Sequence, residues 1–288
     1  DAYKPLLTRV YKAPSPSIAN GEPKAEKDFV EYCVERTEKI LKKYSSKCSA
    51  LVMESGAQIA GGVNIYPPNF QRKLSDLCRK YDVLLILDEI ATGLGRLGNM
   101  VEYVAQESIP DIVCFGKSLT AGYFPLAITA TTRKVFDAFL GDYSENKQFY
   151  HGHTFTGNPI GCTAALANLD LYRKTNLIRQ IRRNSKYLGK RLQQFKESSI
   201  VVNIRHKGLL AGIELSWKGK PISAIKDKGP INYYIRQESL KQGVFIRPVG
   251  NIMIIIPPLA INKDDLEKLL NVQLSILKKI EKNITANF

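Results

Sequence analysis

Apolar positions in the first half of the chain alternate between two periods. Phe29, Val30, Cys33, Val34, Ile40 and Leu41 follow helical spacing up to Tyr44, and the run Ala50-Leu51-Val52-Met53 then predicts a buried strand ending at Glu54. Pro67-Pro68 opens a second helical stretch through Phe70, Leu74, Leu77 and Cys78. Val83-Leu84-Leu85-Ile86-Leu87 predicts a strand ending in Asp88-Glu89, Ile112-Val113-Cys114-Phe115 another ending at Gly116-Lys117, and Leu126-Ala127-Ile128-Thr129 a fourth. Apolar runs that read as buried on both faces, separated by helices, predict α/β layering around a mainly parallel sheet.

The texture then changes. Ile178, Ile181, Leu188, Leu192 and Phe195 recur at helical spacing, so residues 171–197 predict one amphipathic helix. Beyond it, short strands over 201–204, 209–215, 244–246 and 252–256 mix with helices over 232–241 and 263–280. The expected organisation is a large domain over 1–175, a connecting helix over 176–200 and a small C-terminal α+β domain over 201–288.

Charge sharpens this picture. The 42 Lys and Arg outnumber the 27 Asp and Glu for a net charge of +15, and residues 171–197 alone hold nine basic residues against one acid. That concentration predicts a solvated basic helix face. No RNP aromatics, KH loop or finger spacing accompanies it, so nucleic acid is not the expected partner. Five cysteines without a CxxC pair read as buried thiols in a reducing cytoplasm. No apolar run reaches bilayer length, and Asp1-Ala2-Tyr3-Lys4 lacks both a signal-peptide core and a starting Met. The chain is therefore expected either to be processed or to lack its beginning.

Two motifs resemble nucleotide sites and fail on spacing. Leu84-Leu85-Ile86-Leu87-Asp88-Glu89 has the form of a Walker B strand, and Gly116-Lys117-Ser118 that of a P-loop end, but position 111 is Asp where the loop needs Gly. The order of the two elements is also reversed. Gly93-Leu94-Gly95-Arg96-Leu97-Gly98 matches G-x-G-x-x-G, yet the preceding strand stops five residues earlier and Asp111 begins, rather than ends, the next one. This loop is expected to let backbone run close to something else.

The chemistry concentrates at the strand ends. Asp88 follows five apolar residues, which predicts a desolvated carboxylate seeking a cation. Lys117 ends a neighbouring strand in the same crevice, and a lysine amine there can form a Schiff base. An acid for a pyridinium nitrogen and a lysine for an aldehyde is the pairing that pyridoxal phosphate enzymes use, with the lysine also moving the substrate's Cα proton. On composition and placement alone, a structural Asp and a solvated Lys remain open readings.

Leu87-Asp88-Glu89-Ile90-Ala91-Thr92-Gly93-Leu94-Gly95-Arg96 and Pro110-Asp111-Ile112-Val113-Cys114-Phe115-Gly116-Lys117-Ser118-Leu119 together resemble the class III (ω-) aminotransferase family, as do Val52-Met53-Glu54 with Gln58 and Gly61-Gly62, the run His151-Gly152-His153-Thr154-Phe155-Thr156-Gly157-Asn158-Pro159, and residues 208–215. The resemblance covers nearly the whole chain. It implies the fold type I architecture of pyridoxal phosphate-dependent transferases, with Lys117 as the cofactor-binding and catalytic lysine, Asp88 on the ring nitrogen and Ile90 on a ring face. Glu54 and Gln58 lie behind these. Gly152 lies against substrate, and His153 and Thr154 reach the cofactor phosphate of a neighbouring subunit, so a homodimer is the implied assembly. His151 and His153 as a metal pair is the competing reading, with no third ligand at a fitting spacing.

Within the family, Lys4-Pro5-Leu6-Leu7, Lys12-Ala13-Pro14-Ser15-Pro16, Ile246-Arg247-Pro248-Val249-Gly250-Asn251 and Pro257-Pro258 resemble the members that aminate 8-amino-7-oxononanoate in biotin biosynthesis. The similarity implies that Arg247 binds the substrate carboxylate, where a planar guanidinium can hold two oxygens; a surface Arg after a strand is the bland alternative. His153 stands where members using S-adenosylmethionine carry Pro, and Ile255 stands where they carry an aromatic, so the amino donor is S-adenosylmethionine or lysine. Another ω-aminotransferase acting on ornithine, 4-aminobutyrate or a diamine is the alternative within the class. The resemblance also implies an N-terminal portion, with a Gly-Ser phosphate loop and a ring-stacking aromatic, upstream of Asp1. An upstream polypeptide completing the site, or an inactive fragment or split half, therefore stands beside the enzyme reading.

Overall fold

A computed structural model describes residues 4–16 and 23–285. Helix α1 (Pro23–Tyr44) leads into strand β1 (Ala50–Glu54), a small hairpin of β2 (Ala57–Gln58) and β3 (Asn64–Ile65), helix α2 (Phe70–Lys80) and strand β4 (Leu84–Asp88). The short helix α3 (Glu102–Ala105) precedes β5 (Ile112–Phe115), β6 (Ile128–Thr131) and helix α4 (Arg133–Asp137). These strands form one sheet in the order β1-β4-β5-β6. β1, β4 and β5 run parallel, and β6 closes the edge antiparallel. The fold is thus α/β with a mainly parallel sheet. The fourth strand departs from the sequence expectation in register, starting at Ile128 rather than Leu126.

Burial corrects a second expectation. The runs in β1 and β4 do not bury both faces: Leu85 and Leu87 are buried, whereas Leu84, Ile86 and Asp88 are half-buried. Val52 is 66% exposed, and all four residues of β6 are exposed. Helices α1 and α2 cover one face through Val30, Cys33, Leu41, Phe70, Leu74 and Leu77. The other face is less covered, so Asp88 is half-buried rather than desolvated.

The predicted basic helix is two helices. Helix α5 (Pro159–Lys174) starts at Asn158, whose side chain accepts from the Gly161 N–H, and it is followed by α6 (Leu177–Arg191) and a 3-10 stretch over Leu192–Glu197. The break is Asn176, whose φ of 50° no α-helix accommodates. Most of the basic side chains are exposed as expected, but Arg182 donates to the Gly98 carbonyl and Arg191 pairs with Glu267.

Beyond α6, β7 (Val201–Lys207), β8 (Leu210–Trp217), β9 (Lys220–Pro221), a ribbon of β10 (Ala224–Ile225) with β11 (Gly229–Pro230), helix α7 (Ile231–Leu240), β12 (Ile252–Ile255) and helix α8 (Lys263–Thr285) complete the chain. β8 is the centre of an antiparallel sheet between β12 and β7. Residues 244–246 form no strand. Ile246 is nevertheless buried, so its apolar run packs without a ladder partner. The largest apolar core joins α6, β8, β12, α7 and α8 and reaches Leu94 and Leu119 near the first sheet.

The G-x-G-x-x-G loop sits against this second sheet. A Cβ on Gly208, whose φ is 62°, would overlap the Arg96 carbonyl and the Leu97 backbone, so only glycine lets the two backbones cross. The Leu209 N–H donates to the Arg96 carbonyl at 2.9 Å, and the buried Arg96 guanidinium donates to the carbonyls of Leu209 and Pro257. Desolvation lowers the Arg96 pKa to about 10. The loop thus brings backbone close to backbone, as its glycines lead one to expect.

The expectation of buried cysteines needs revision at three positions. Cys33 and Cys78 are buried, but Cys48 and Cys114 are half-buried and Cys162 is exposed on α5; all five are free thiols. Cys162 occupies a helix position that faces outward, which helical periodicity alone did not resolve. No described helix is long and apolar enough to cross a membrane.

Candidate active site at the strand ends

The parallel register aligns the chemistry. Glu54 pairs with Asp88, and Asp88 pairs with Cys114, so the last residues of β1 and β4 lie in one row and Lys117 follows three residues after Cys114. The ladder continues past the strands: the Ser55 N–H donates to the Asp88 carbonyl at 3.0 Å, and the Glu89 N–H to the Cys114 carbonyl at 2.9 Å. Ligand sites of open α/β sheets lie in such a crevice at the strands' carboxyl ends.

Asp88 Oδ1 accepts the Ile90 N–H at 2.8 Å, which fixes one carboxylate oxygen and leaves the half-buried group facing the crevice. Lys117 is exposed, opens a 3-10 turn, and adopts a φ of 43°. A lysine in the left-handed region costs on the order of 1 kcal/mol, and such strain clusters at functional positions. The preceding Gly116 lies against Ile90, where a Cβ would stand 3.4 Å from the Ile90 Cγ2. Lys117 makes no hydrogen bond among the described residues.

Glu54 is the third member. Burial raises its pKa first; the Ile59 N–H, donating to Oε2 at 3.0 Å, opposes this, the Asp88 charge raises it further and the Lys117 charge lowers it. Glu54 therefore feels both other groups, and the structure brings the three together. Gln58 stands nearby in β2, its amide oxygen accepting from Asn64 at 3.4 Å. A cleft of about 800 Å³ opens along β1, with Glu54, Gln58 and Tyr66 in its wall. Burial pushes the Tyr66 phenol up, so it is a neutral wall.

The remaining expected residues lie apart. Gly152, His153 and Thr154 are exposed in the loop before α5, where the His153 N–H donates to Thr156 Oγ1 and the Phe155 N–H to His153 Nδ1. Among the described residues no hydrogen bond or ion pair joins this loop to Glu54, Asp88 or Lys117. Arg247 is exposed beside the buried Ile246, and its guanidinium has no hydrogen-bond or ion-pair partner among the described residues. Ile255, the residue that left the amino donor open, is fully buried in β12, paired with Ala211.

A buried polar layer behind the strand ends escaped the sequence reading. Glu89, 1% exposed, accepts the N–H groups of Glu102 at 2.9 Å and Tyr103 at 2.6 Å. Burial, and then the Glu102 charge, raise its pKa against those two N–H donors. Gln71 donates to Ser55 Oγ at 3.1 Å and to Ser108 Oγ at 2.7 Å, and accepts the Gly56 N–H at 2.7 Å. Lys207 from β7 pairs with the fully buried Glu102 carboxylate. Strand alternation carries the one available signal: if Asp88 faces the crevice, Glu89 must face away from it.

A family model described as aminotransferase class-III matches residues 1–277. The chain is 39% identical over 292 aligned positions to the adenosylmethionine-8-amino-7-oxononanoate aminotransferase of Aquifex aeolicus, an alignment covering 98% of this chain and 62% of that protein. It is 34% identical to the enzyme of the same name from Methanocaldococcus jannaschii, whose crystal structure superposes with a TM-score of 0.82 over 97% of this chain and 62% of that one. An amine transaminase from an uncultivated Pseudomonas species, solved in its PLP-bound form, is 28% identical with a TM-score of 0.78, covering 92% of this chain and 61% of that one. The chain thus spans about 62% of the length of these relatives.

Proposed function

The chain belongs to the class-III aminotransferase family, and from that premise we propose that it serves a pyridoxal phosphate-dependent transamination whose acceptor is 8-amino-7-oxononanoate and whose donor is S-adenosylmethionine or lysine. The observation that carries this reading is the row Glu54–Asp88 with Lys117 beyond it, two carboxylates and one amine at adjoining strand ends. The substrate assignment is supported by the names of the relatives from Aquifex aeolicus and Methanocaldococcus jannaschii.

The residues present suit the ring and aldehyde ends of the cofactor. When bound, pyridoxal phosphate supplies an electron sink for the charge left at the substrate's Cα. Asp88, with one oxygen tied to the Ile90 N–H, would hold a proton at a ring nitrogen through the other. Lys117 would hold the aldehyde end, and its amine would be the group that moves the substrate's Cα proton. Ile90 would pack on a ring face, and Glu54 and Gln58 would stand behind Asp88. In this reading Arg247 takes the substrate carboxylate and Gly152 lies against substrate. His153 and Thr154 serve the phosphate of a second copy, so the working unit is a homodimer, with residues 1–175 as part of the large domain, 176–200 as connector and 201–288 as the small domain. An upstream polypeptide that completes the site belongs to the same proposal. Because Ile255 is buried, His153 remains as the residue in this chain that bears on the donor.

The test is spectroscopic. Purified protein supplied with pyridoxal phosphate is expected to develop a visible absorption band that the Lys117→Ala variant lacks. A variant spectrum identical to that of the parent protein overturns the assignment of Lys117.

A further inference from the structure

Strand β1 ends at Glu54, and the two residues after it decide how the chain leaves the sheet. The Ser55 N–H donates to the Asp88 carbonyl at 3.0 Å, which carries the β1–β4 ladder one step past the two acids. Gly56 then turns the chain toward β2 with a φ of 72°, and its carbonyl accepts the Tyr66 N–H at 3.1 Å. A Cβ at this position would stand 2.5 Å from the Cγ of the buried Glu102, so the turn is closed on that side. Three residues on, the Ile59 N–H returns to Glu54 and donates to Oε2 at 3.0 Å. The turn therefore sets the direction from which the Glu54 carboxylate is held.

Gln71 of α2 closes the other side of the turn. Its Oε1 accepts the Gly56 N–H at 2.7 Å, and its Nε2 donates to Ser55 Oγ at 3.1 Å and to Ser108 Oγ at 2.7 Å. The Gly56 N–H can only donate, which fixes the amide's orientation, and both Nε2 hydrogens are then used. Ser55 and Gln71 are fully buried and Ser108 is 4% exposed, so no water replaces a lost bond. One turn along α2, Ser75 Oγ accepts the Ile109 N–H at 3.1 Å and donates to the Ile109 carbonyl at 3.3 Å. Residues 108–109 are thus held on α2 by two side chains, whereas the Ser55–Gly56 turn is held on it through Gln71.

We propose that Gln71 is a positioning residue: by holding Ser55 and Gly56 it sets the path of the chain to Ile59, and so fixes the Glu54 carboxylate in its row with Asp88. This rests on the reading of Asp88 and Lys117 given above. Gln71 lies behind the crevice, and its effect passes through Glu54.

The test compares two ends of the same side chain. Gln71→Met keeps the length and removes all three bonds. Ser108→Ala cuts the bond on the far side and leaves both bonds to the turn, with Ser75 still holding Ile109. Asp88→Asn tests the site reading itself. Three quantities are measured on the full chain: the affinity for pyridoxal phosphate, the pH midpoint of the visible band, and amide hydrogen exchange of the cofactor-free protein at Ile59, whose N–H reports on Glu54 directly. Gln71→Met is expected to weaken cofactor affinity by about tenfold, to quicken Ile59 exchange by about as much, and to displace the midpoint. Ser108→Ala should lower the urea midpoint of unfolding and leave all three quantities at parent values. Gln71→Glu, which keeps an acceptor for Gly56 and accepts from both serine hydroxyls, should recover most of the Ile59 protection.

If Gln71→Met shows parent affinity, midpoint and exchange while Asp88→Asn loses affinity, the positioning role is overturned and the site reading stands. Equal changes in Gln71→Met and Ser108→Ala would show a merely structural role and also overturn it. If Asp88→Asn binds cofactor as the parent does, or if the parent takes up none, the site reading fails. Ile59 exchange then decides alone: faster in Gln71→Met than in Ser108→Ala, it sustains the placing of Glu54, and equal in the two, it overturns it. Should Gln71→Met not fold, Ser55→Ala carries the same comparison with one bond to the turn removed, and parent values in it overturn the proposal.

Discussion

Glu54 and Asp88 end adjoining strands that are bonded to a buried layer, with the exposed Lys117 beyond them, whereas Gly152, His153 and Thr154 occupy a loop exposed along its length and bonded to itself. Arg247 resembles the loop, being exposed without a polar partner among the described residues. The difference is one of constraint. Backbone ladders and dry hydrogen bonds hold the first group, so a change there is felt by the fold as well as by the chemistry. In the second group nothing in the fold depends on the side chains, so activity and stability should separate under mutation.

The largest effect is expected from Lys117→Ala. Loss of the amine should lower transaminase activity by about a thousandfold or more, with a thermal melt close to the parent's, because the side chain is exposed and makes no hydrogen bond or ion pair among the described residues, and alanine keeps the same backbone strain. A melt several degrees lower would show that Lys117 supports the fold and blur the contrast. Next, Arg96→Met should destabilise the chain by about 2–4 kcal/mol, since two buried carbonyls lose a charged donor; urea unfolding reads this directly.

An intermediate effect is expected from pH. His206 lies on β7, its Nε2 within 3.0 Å of the Gly208 carbonyl, and burial lowers its pKa from the ordinary value near 6.5. The fold therefore prefers the neutral ring. Its contribution is complete above pH 6.5, the unfolded value, and is lost as pH falls through 6.5 toward the lowered folded value. Stability measured from pH 8 to 5 should decline on the acid side, with a shallower decline in His206→Gln. The smallest effects belong to the exposed group. Gly152→Ala meets its nearest neighbour, Thr156 Oγ1, at an ordinary 3.9 Å, so it and Arg247→Ala should change stability by less than about 0.5 kcal/mol. Arg247→Ala should selectively weaken turnover of 8-amino-7-oxononanoate, and an equal loss on other amine acceptors would remove the carboxylate role.

The strand-end group was legible because apolar runs mark both the strands and the point where they stop: Leu87 gives way to Asp88, and Phe115 is followed by Gly116-Lys117. Register was not legible. That Glu54 stands beside Asp88 is a fact of pairing, and pairing also decides that β6 runs antiparallel and that residues 244–246 pair with nothing. The break at Asn176 carries no apolar signature, since Leu177 resumes the helical period one residue later. Nor could the sequence expose the buried layer: the bonds from Glu89 to Glu102 and from Glu102 to Lys207 span 13 and 105 positions. Ile255 shows the converse limit, a residue that bore on the donor by its position in the sequence but is turned into the core of β12.

Arg96 bonds to carbonyls 113 and 161 positions further along the chain. Contacts so distant cannot form until most of the polypeptide has left the ribosome, and they place a large loop-closure cost early in any pathway that makes them first. The crossing at Gly208 is therefore a late event in folding. Refolding of Arg96→Met should keep nearly the parent's rate while its unfolding accelerates, the kinetic signature of a clasp that shuts last.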